Sequence, residues 1–406
     1  MYRLARAGAG LAILLSVTWA GPVVAAACQN TGSFPKWLEA FKKDALQAGI
    51  SKQTLAEAAP MLRFDKSIVG RDRAQGVFSQ SFAEFAGRMV SGHRIQQGGR
   101  LIKKHADLFA KVEKAYGVPA PVITAFWALE SDFGVNMGKL PVFPALATLA
   151  YDCRRSQMFR EQLVAALQIL QDGDLSRDEM IGSWAGELGQ TQFLPSFYAQ
   201  YGVDFDGDGR RNLLTSTPDL IASTGNYIKG LGWQRGQPWL QEVRVPGDLD
   251  WSQADLAIQH SRAQWAEWGV AAAKGQELSR DELPASLLLP MGRNGPAFLA
   301  YPNFRIYLEW NQSLIYSTTA AYLATRLAGA QTIGKGNGKV APLSFQQIKQ
   351  LQKLLTGRGH DVGEVDGKLG AATRAAVKAE QQRLGLPADS YPTVEFLVKL
   401  AKSGAD

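Results

Sequence analysis

Phe126-Trp127-Ala128-Leu129-Glu130-Ser131-Asp132-Phe133-Gly134 places one carboxylate in an apolar, aromatic run that stops at a glycine. Ionising a carboxyl away from water is costly, so such surroundings raise the pKa of Glu130 and favour a protonated acid near neutrality. A general acid needs that state. The punctuation Gly117-Val118-Pro119 precedes it, and residues 120–130 read as the helix that carries it. A glutamate near a helix end also serves as a capping or solvated residue, so this stretch needs support from elsewhere in the chain.

Outward from it, the chain reads as mainly α. Trp37, Phe41, Ala45 and Leu46 mark an amphipathic first helix, and Ser51 caps a short second one ending near Pro60. Residues 81–116 stay helical in pattern, with a break expected at Gly98-Gly99. Residues 159–171 and 218–231 are further helices. Strand-like runs are few: 241–245, 286–289 and 305–308. Residues 329–340 include Gly-Lys-Gly-Asn-Gly-Lys and read as a flexible linker. Beyond them, residues 341–406 form a compact unit with helices at 344–355, 371–384 and 393–402.

At 406 residues and 46% hydrophobic content, the chain can bury a large core in two or more domains. A net charge of +7 without a Lys/Arg block suits an acidic polymer or an anionic surface, and argues against nucleic acid as partner. Residues 1–27 read as an export signal, with Arg3 and Arg6 before an apolar stretch and small residues at its end. The mature chain is then expected in the periplasm. Its two cysteines, Cys28 and Cys153, can form one disulfide. Cys28 directly after Ala25-Ala26-Ala27 also suits a lipid-modified first residue, but Ala25 stands where the usual lipoprotein pattern has Leu, which favours the disulfide.

His93, His105, His260 and His360 are scattered without metal-ligand spacing, and no Ser-His-Asp order, phosphate loop or zinc signature occurs. The second informative stretch is Ser183-Trp184-Ala185-Gly186-Glu187-Leu188-Gly189-Gln190-Thr191-Gln192-Phe193-Leu194-Pro195-Ser196. Glycines, amides and aromatics without charge runs suit a sugar site, where flat rings stack and planar amides bond hydroxyl and acetamido groups. They equally suit a tight buried turn.

Taken in order, Glu130-Ser131-Asp132-Phe133-Gly134, the run from Leu146 to Arg155, the Trp184 to Ser196 motif, Asn226-Tyr227 with Gly230-Leu231-Gly232-Trp233, and Trp310-Asn311-Gln312-Ser313 resemble the membrane-bound lytic murein transglycosylase B family. The resemblance covers roughly residues 34–328 and implies a lysozyme-like catalytic domain with small β elements, over residues 28–328. It implies cleavage of the β-1,4 bond between N-acetylmuramic acid and N-acetylglucosamine, leaving a 1,6-anhydro end. Glu130 would be the single acid and then base, with the substrate's acetamido group stabilising the anomeric centre. The resemblance makes Ser183 a support of that Glu, Gln192 and Tyr227 cleft-lining residues, and Asn311 a polar group at the cleft floor. Arg154 and Arg155 match a basic pair near the glycan or its stem peptide. Asp132 does not share a helix face with Glu130. Glu187 is a second carboxylate inside the motif, at a place where the family often has small or apolar residues; on the far side of the cleft it would activate water and make a hydrolase.

Asp204, Asp206 and Asp208, with Gly209 next and the backbone carbonyl of Arg210 after it, follow the calcium-loop pattern, but position 12 is Thr215. The family closes a longer loop with a later Asp, here Asp219, with one extra residue between. Any calcium would be structural, and the chemistry is expected to need no cofactor. The C-terminal unit resembles the small three-helix peptidoglycan-binding domain through residues 348–355 and Val365-Asp366-Gly367-Lys368-Leu369-Gly370 onward to Val377. His360 and Glu380 depart from its pattern. The reading is a periplasmic, monomeric lytic transglycosylase acting on peptidoglycan glycan strands, with cell-wall synthesis or division proteins as further partners. A water-adding muramidase and an inactive wall-binding scaffold are its rivals.

Overall fold

The computed structural model describes residues 32–73, 80–273 and 277–403. The expected export signal and Cys28 lie outside the described residues. Helices α1 (Phe34–Gln47), α2 (Lys52–Ala58) and α3 (Lys66–Arg73) open the chain, and Ser51 caps α2 as its sequence suggests, accepting the N–H of Thr54. Next come α4 (Phe82–Met89), α5 (Gly92–Lys104), α6 (Ala106–Tyr116) and α7 (Ala120–Ser131). A two-stranded sheet of β1 (Leu140–Pro141) and β2 (Ile181–Gly182) flanks α8 (Val142–Tyr151) and α9 (Ser156–Gln171). Then follow α10 (Pro195–Tyr201) and α11 (Thr217–Gly230).

The break expected at Gly98-Gly99 is absent, because α5 runs through both glycines. The chain instead turns at Ser91, which caps α5, and at His105 between α5 and α6. Gly98 is buried for a packing reason: a Cβ there would lie 2.8 Å from Leu327 Cδ2 and 3.1 Å from Thr124 Cγ2, whereas one on Gly99 would meet nothing. Its smallness lets α5 approach α7.

A five-stranded antiparallel sheet in the order β4–β6–β7–β3–β5 comprises β3 (Leu240–Arg244), β4 (His260–Ser261), β5 (Ala271–Ala272), β6 (Pro284–Leu288) and β7 (Ala297–Ala300). Alternate residues serve opposite faces. Leu287 and Leu299 pack with Trp251 and Trp265 on one side, while Leu288, Phe298 and Ala300 join the cluster around α7 on the other. A short helix, α12 (Arg262–Glu267), covers the first side. Residues 305–308, expected as a strand, lie within helix α13 (Phe304–Trp310). Four residues are too few to separate the two periods, and the burial of Phe304 and Tyr307, three apart, marks a helical face. Helix α14 (Leu314–Leu327) then packs along α7.

The C-terminal unit consists of α15 (Phe345–Gly357), α16 (Ala371–Arg383) and α17 (Val394–Lys402) around Leu351, Leu355, Val377 and Leu400. His360 and Glu380, the two departures from its pattern, face each other: the imidazole Nε2 lies 2.9 Å from Glu380 Oε1, and Arg383 donates to the other oxygen at 2.9 Å. A polar pair thus replaces an apolar contact. The preceding segment has no regular structure, yet it is not a free tether. The N–H of Ile333 donates to Tyr322 Oη at 3.2 Å, Asn337 Nδ2 to the carbonyl of Val245 at 3.0 Å, and the N–H of Gly338 to that of Asn294 at 2.9 Å. Apolar periodicity does not report contacts made by backbone groups and one amide. Arg374 Nη2 then donates to the carbonyl of Pro290 at 2.6 Å, and Lys378 pairs with Asp255 at 3.0 Å, docking α16 on the core. A cavity of about 1120 Å³ lies between the unit and the core, with residues 312–315 on one side and Arg374 and Tyr391 on the other.

Replacing Gly98 by Val is expected to cost about 1–3 kcal/mol by overpacking. Replacing Gly99 by Ala is expected to raise stability by about 0.5–1 kcal/mol. Thermal melting of the two variants checks this, and a larger loss at Gly99 would refute it.

Candidate active site

α7 is buried nearly all round: Val122 to Leu129 and Ser131 are all inaccessible, while Glu130 alone in this stretch keeps partial exposure. A helix with no solvent face is held by packing rather than amphipathicity. It ends in a left-handed turn, with Asp132 at φ 53° and Phe133 at φ 61°. Asp132 pairs there with Arg94 at 3.0 Å, away from the Glu130 face, as its spacing implies. Gly134 follows at φ +89°, and a Cβ on it would lie 2.5 Å from Gln190 Oε1. That space is used: Trp127 Nε1 donates to Gln190 Oε1 at 2.8 Å, and Gln190 Nε2 to the carbonyl of Leu214 at 2.8 Å. The two informative stretches are therefore locked together by an amide.

Phe126 and Glu130, four residues apart, share one helix face. Phe126 stacks on the indole of Trp310 at 4.1 Å between centroids, and Trp310 Nε1 donates to Glu130 Oε1 at 2.8 Å. Tyr316, from α14, donates its hydroxyl to the same oxygen. The second carboxyl oxygen of Glu130 has no protein partner among the described residues. Burial pushes Glu130 up to about 7, against the opposing pull of the Tyr316 and Trp310 hydrogen bonds and with a further push from the charge of Glu187. Trp310 was visible as part of a motif but not as a holder of Glu130. Tyr316 was missed, and only its position six residues beyond Trp310 signals it.

Ser183 does not support Glu130 directly. Its hydroxyl donates to Glu187 Oε2 at 2.8 Å and accepts the N–H groups of Ala185 and Glu187. Gln192 stands in the left-handed region, and its Nε2 donates to the carbonyls of Gly189 and Met137. Tyr227 is buried among Phe193, Phe197, Tyr201 and Trp310, with the last ring 5.1 Å away. Asn311 follows Trp310, and its Oδ1 accepts the N–H of Ser313 at 2.9 Å at the start of α14. Arg154 and Arg155 both pair with Asp72 of α3, a buried carboxylate that sequence reasoning missed. Cys153 is disulfide-bonded.

Asp204, Asp206 and Asp219 bring one oxygen each to within 4.8 Å of one another. Asp219 is buried and accepts the N–H groups of Phe205 and Asn212, each at 2.8 Å. Burial raises its pKa, and the charge of Asp206 adds to the rise. Asp208 is outside this group and accepts the N–H of Arg210, whose guanidinium instead reaches Asp174 and Glu179. The extra residue in the loop does not stop Asp219 from closing it.

A largely buried carboxyl held by aromatic side chains in a mainly helical body is an arrangement that suits a lysozyme-like glycan-cleaving enzyme. Residues 33–325 match the family described as the Transglycosylase SLT domain, and residues 345–400 match a peptidoglycan binding domain. The chain belongs to the SLT transglycosylase family. It is 30% identical over 245 residues to membrane-bound lytic murein transglycosylase B of Escherichia coli (strain K12), a match spanning 60% of this chain and 66% of that one. The structure of SltB3 from Pseudomonas aeruginosa in complex with NAG-anhNAM-pentapeptide is 43% identical, with a TM-score of 0.84, covering 91% of this chain and 99% of that one. The Escherichia coli lytic transglycosylase Slt35 in complex with calcium is 28% identical, with a TM-score of 0.60, over 72% of this chain and 93% of that one.

The ordinary carboxyl value of 4.5 rises to about 7 on folding, so Glu130 favours the folded state below pH 4.5 and loses that contribution as pH climbs through 7. Glu130→Gln is therefore expected to raise the melting temperature at pH 8, by the equivalent of about 3 kcal/mol at most, and to leave it unchanged at pH 4. An equal shift at both pH values would contradict the burial of an ionisable acid.

Proposed function

We propose that this chain cleaves the β-1,4 bond between N-acetylmuramic acid and N-acetylglucosamine of peptidoglycan and leaves a 1,6-anhydromuramic acid end. The observation that carries this is Glu130, held at one oxygen by Trp310 and Tyr316 with its other oxygen free to meet substrate. With a pKa of about 7 it is protonated often enough to give its proton to the leaving oxygen. As carboxylate it then takes the proton of the muramyl 6-hydroxyl, whose oxygen closes on the anomeric carbon. SltB3 is seen in complex with NAG-anhNAM-pentapeptide, a ligand with an anhydro sugar, and this supports the reading over the addition of water. Ser183, Gln192, Tyr227 and Asn311 border the same cleft in this proposal, with Arg154 and Arg155 toward a stem peptide. Residues 341–406 hold the wall, residues 1–27 direct export to the periplasm, and Cys28 pairs with Cys153.

Glu130→Gln is expected to abolish release of soluble muropeptides from purified sacculi while leaving sacculus binding intact. Wild-type products should be one water lighter than those of a muramidase. Undiminished release by the variant, or reducing ends in the wild-type products, would refute the proposal.

We infer also that Asp204, Asp206 and Asp219 hold a structural calcium ion. Three convergent carboxylates are hard oxygen donors that suit calcium, and a divalent cation offsets the burial and the lesser repulsion from Asp206 that raise Asp219. Chelator is expected to lower the melting temperature of the wild type, and Asp219→Asn to remove that response. A melting temperature indifferent to both calcium and chelator would end this assignment.

A further inference from the structure

Glu187 has no part in the single-carboxylate scheme, yet it is built into the same site. Its backbone carbonyl accepts the N–H of Ser183 at 2.9 Å, closing a tight loop. Two N–H groups, of Ala185 and Glu187, fill the acceptor side of the Ser183 hydroxyl, at 3.1 and 3.2 Å. The hydroxyl hydrogen is thereby committed to Glu187 Oε2, which fixes that carboxyl in place. The remaining oxygen has no protein partner among the described residues, and the side chain keeps partial exposure. The next residue, Leu188, bridges to Phe193, whose ring lies 5.8 Å from Trp310. The charge of Glu187 reaches both Glu130 and Tyr316. Burial raises the pKa of Glu187, against the opposing pull of the Ser183 hydrogen bond and of Arg155, which is anchored on Asp72.

Two carboxyls thus lie within electrostatic reach of one another, each with one oxygen held by protein and the other without a protein partner among the described residues. We propose that Glu187 accepts the acetamido N–H of the muramyl sugar and stabilises the cation that this group forms at the anomeric carbon. This rests on the reaction proposed above. As Glu130 gives its proton to the glycosidic oxygen, the bond from that oxygen to C1 breaks and its electron pair stays on the leaving sugar. The acetamido carbonyl oxygen uses a lone pair to bond C1, forming a cyclic oxazolinium ion whose N–H carries positive charge. Glu187 in its carboxylate form, which the Ser183 hydrogen bond, Arg155 and the new positive charge all favour, faces that N–H. The 6-hydroxyl oxygen then bonds C1, the acetamido oxygen leaves with its electron pair, and the hydroxyl proton passes to Glu130. A preorganised charge that complements only the developing cation acts on kcat more than on KM.

The test compares wild type with Glu187→Gln and Glu187→Asp on a soluble muropeptide tetrasaccharide and on the same compound de-N-acetylated at muramic acid. Glu187→Gln is expected to lower kcat on the order of a hundredfold on the N-acetylated substrate, with KM nearly unchanged, and Glu187→Asp to recover part of it. On the de-N-acetylated substrate, wild type and Glu187→Gln should turn over equally slowly. Binding of a thiazoline-fused glucosamine, which mimics the cyclic ion, should weaken at least about tenfold in Glu187→Gln. Equal losses on both substrates, unchanged thiazoline binding, or a kcat close to wild type would overturn the proposal. Reducing ends in wild-type products that vanish in Glu187→Gln would show water activation instead. If Glu187→Gln does not fold, Ser183→Ala, which frees the carboxyl to rotate, should give a weaker version of the same pattern, and its absence counts against the proposal. Activity surviving in Glu130→Gln would point to failure of the underlying reaction, not of the Glu187 assignment.

Discussion

The stack of Phe126 on Trp310 is the contact from which the site is built. It turns one face of a buried helix into both a seat for an indole and the origin of the carboxyl that the indole N–H meets. The geometry works because positions four apart on α7 coincide in direction, and because α13 ends at Trp310. A hydrogen-bonded oxygen and an unbonded one then give Glu130 opposite tendencies. Burial favours the acid and the donors favour the base, and the balance falls near neutrality. A single group that serves in both states, as proposed for Glu130, needs that compromise.

Around this contact, polar side chains act as fasteners between elements distant in sequence. Gln190 ties α7 to the loop before α11, and Asp72 gathers Arg154 and Arg155 between α3 and α9. Each is at least partly withdrawn from water, so leaving one partner unmatched costs more than the bond itself contributes. Such fasteners hold the elements around Glu130 at set positions without enlarging the apolar core.

The helical body and the buried carboxyl of Glu130 were legible in the sequence for different reasons. Glu130 stood out because a carboxyl inside an apolar run has few structural uses, and ordered motifs elsewhere removed the capping alternative. Secondary structure was readable where a cap or a long period existed, as at Ser51 and along α9. It failed where only four residues carried the pattern, as in α13, and where a glycine served close packing rather than chain reversal, as at Gly98. Tyr316 and Asp72 were invisible because their roles come from side chains meeting across 186 residues in one case and 83 in the other. Ser183 bonds Glu187 rather than Glu130, because a sequence pattern does not say which of two carboxyls a serine will face.

The docked C-terminal unit changes how its attachment acts. A free tether delivers a range of separations whose average grows with its length, so affinity for the wall would translate into a broad local concentration at the cleft. Here the segment before α15 is bonded to Tyr322, Val245 and Asn294, and α16 is latched to Pro290 and Asp255. On the proposed function, a polymer gripped by that unit would meet Glu130 at one offset, and adding residues to the connecting segment would leave that offset as it is. The enzyme carries a ruler in place of a leash.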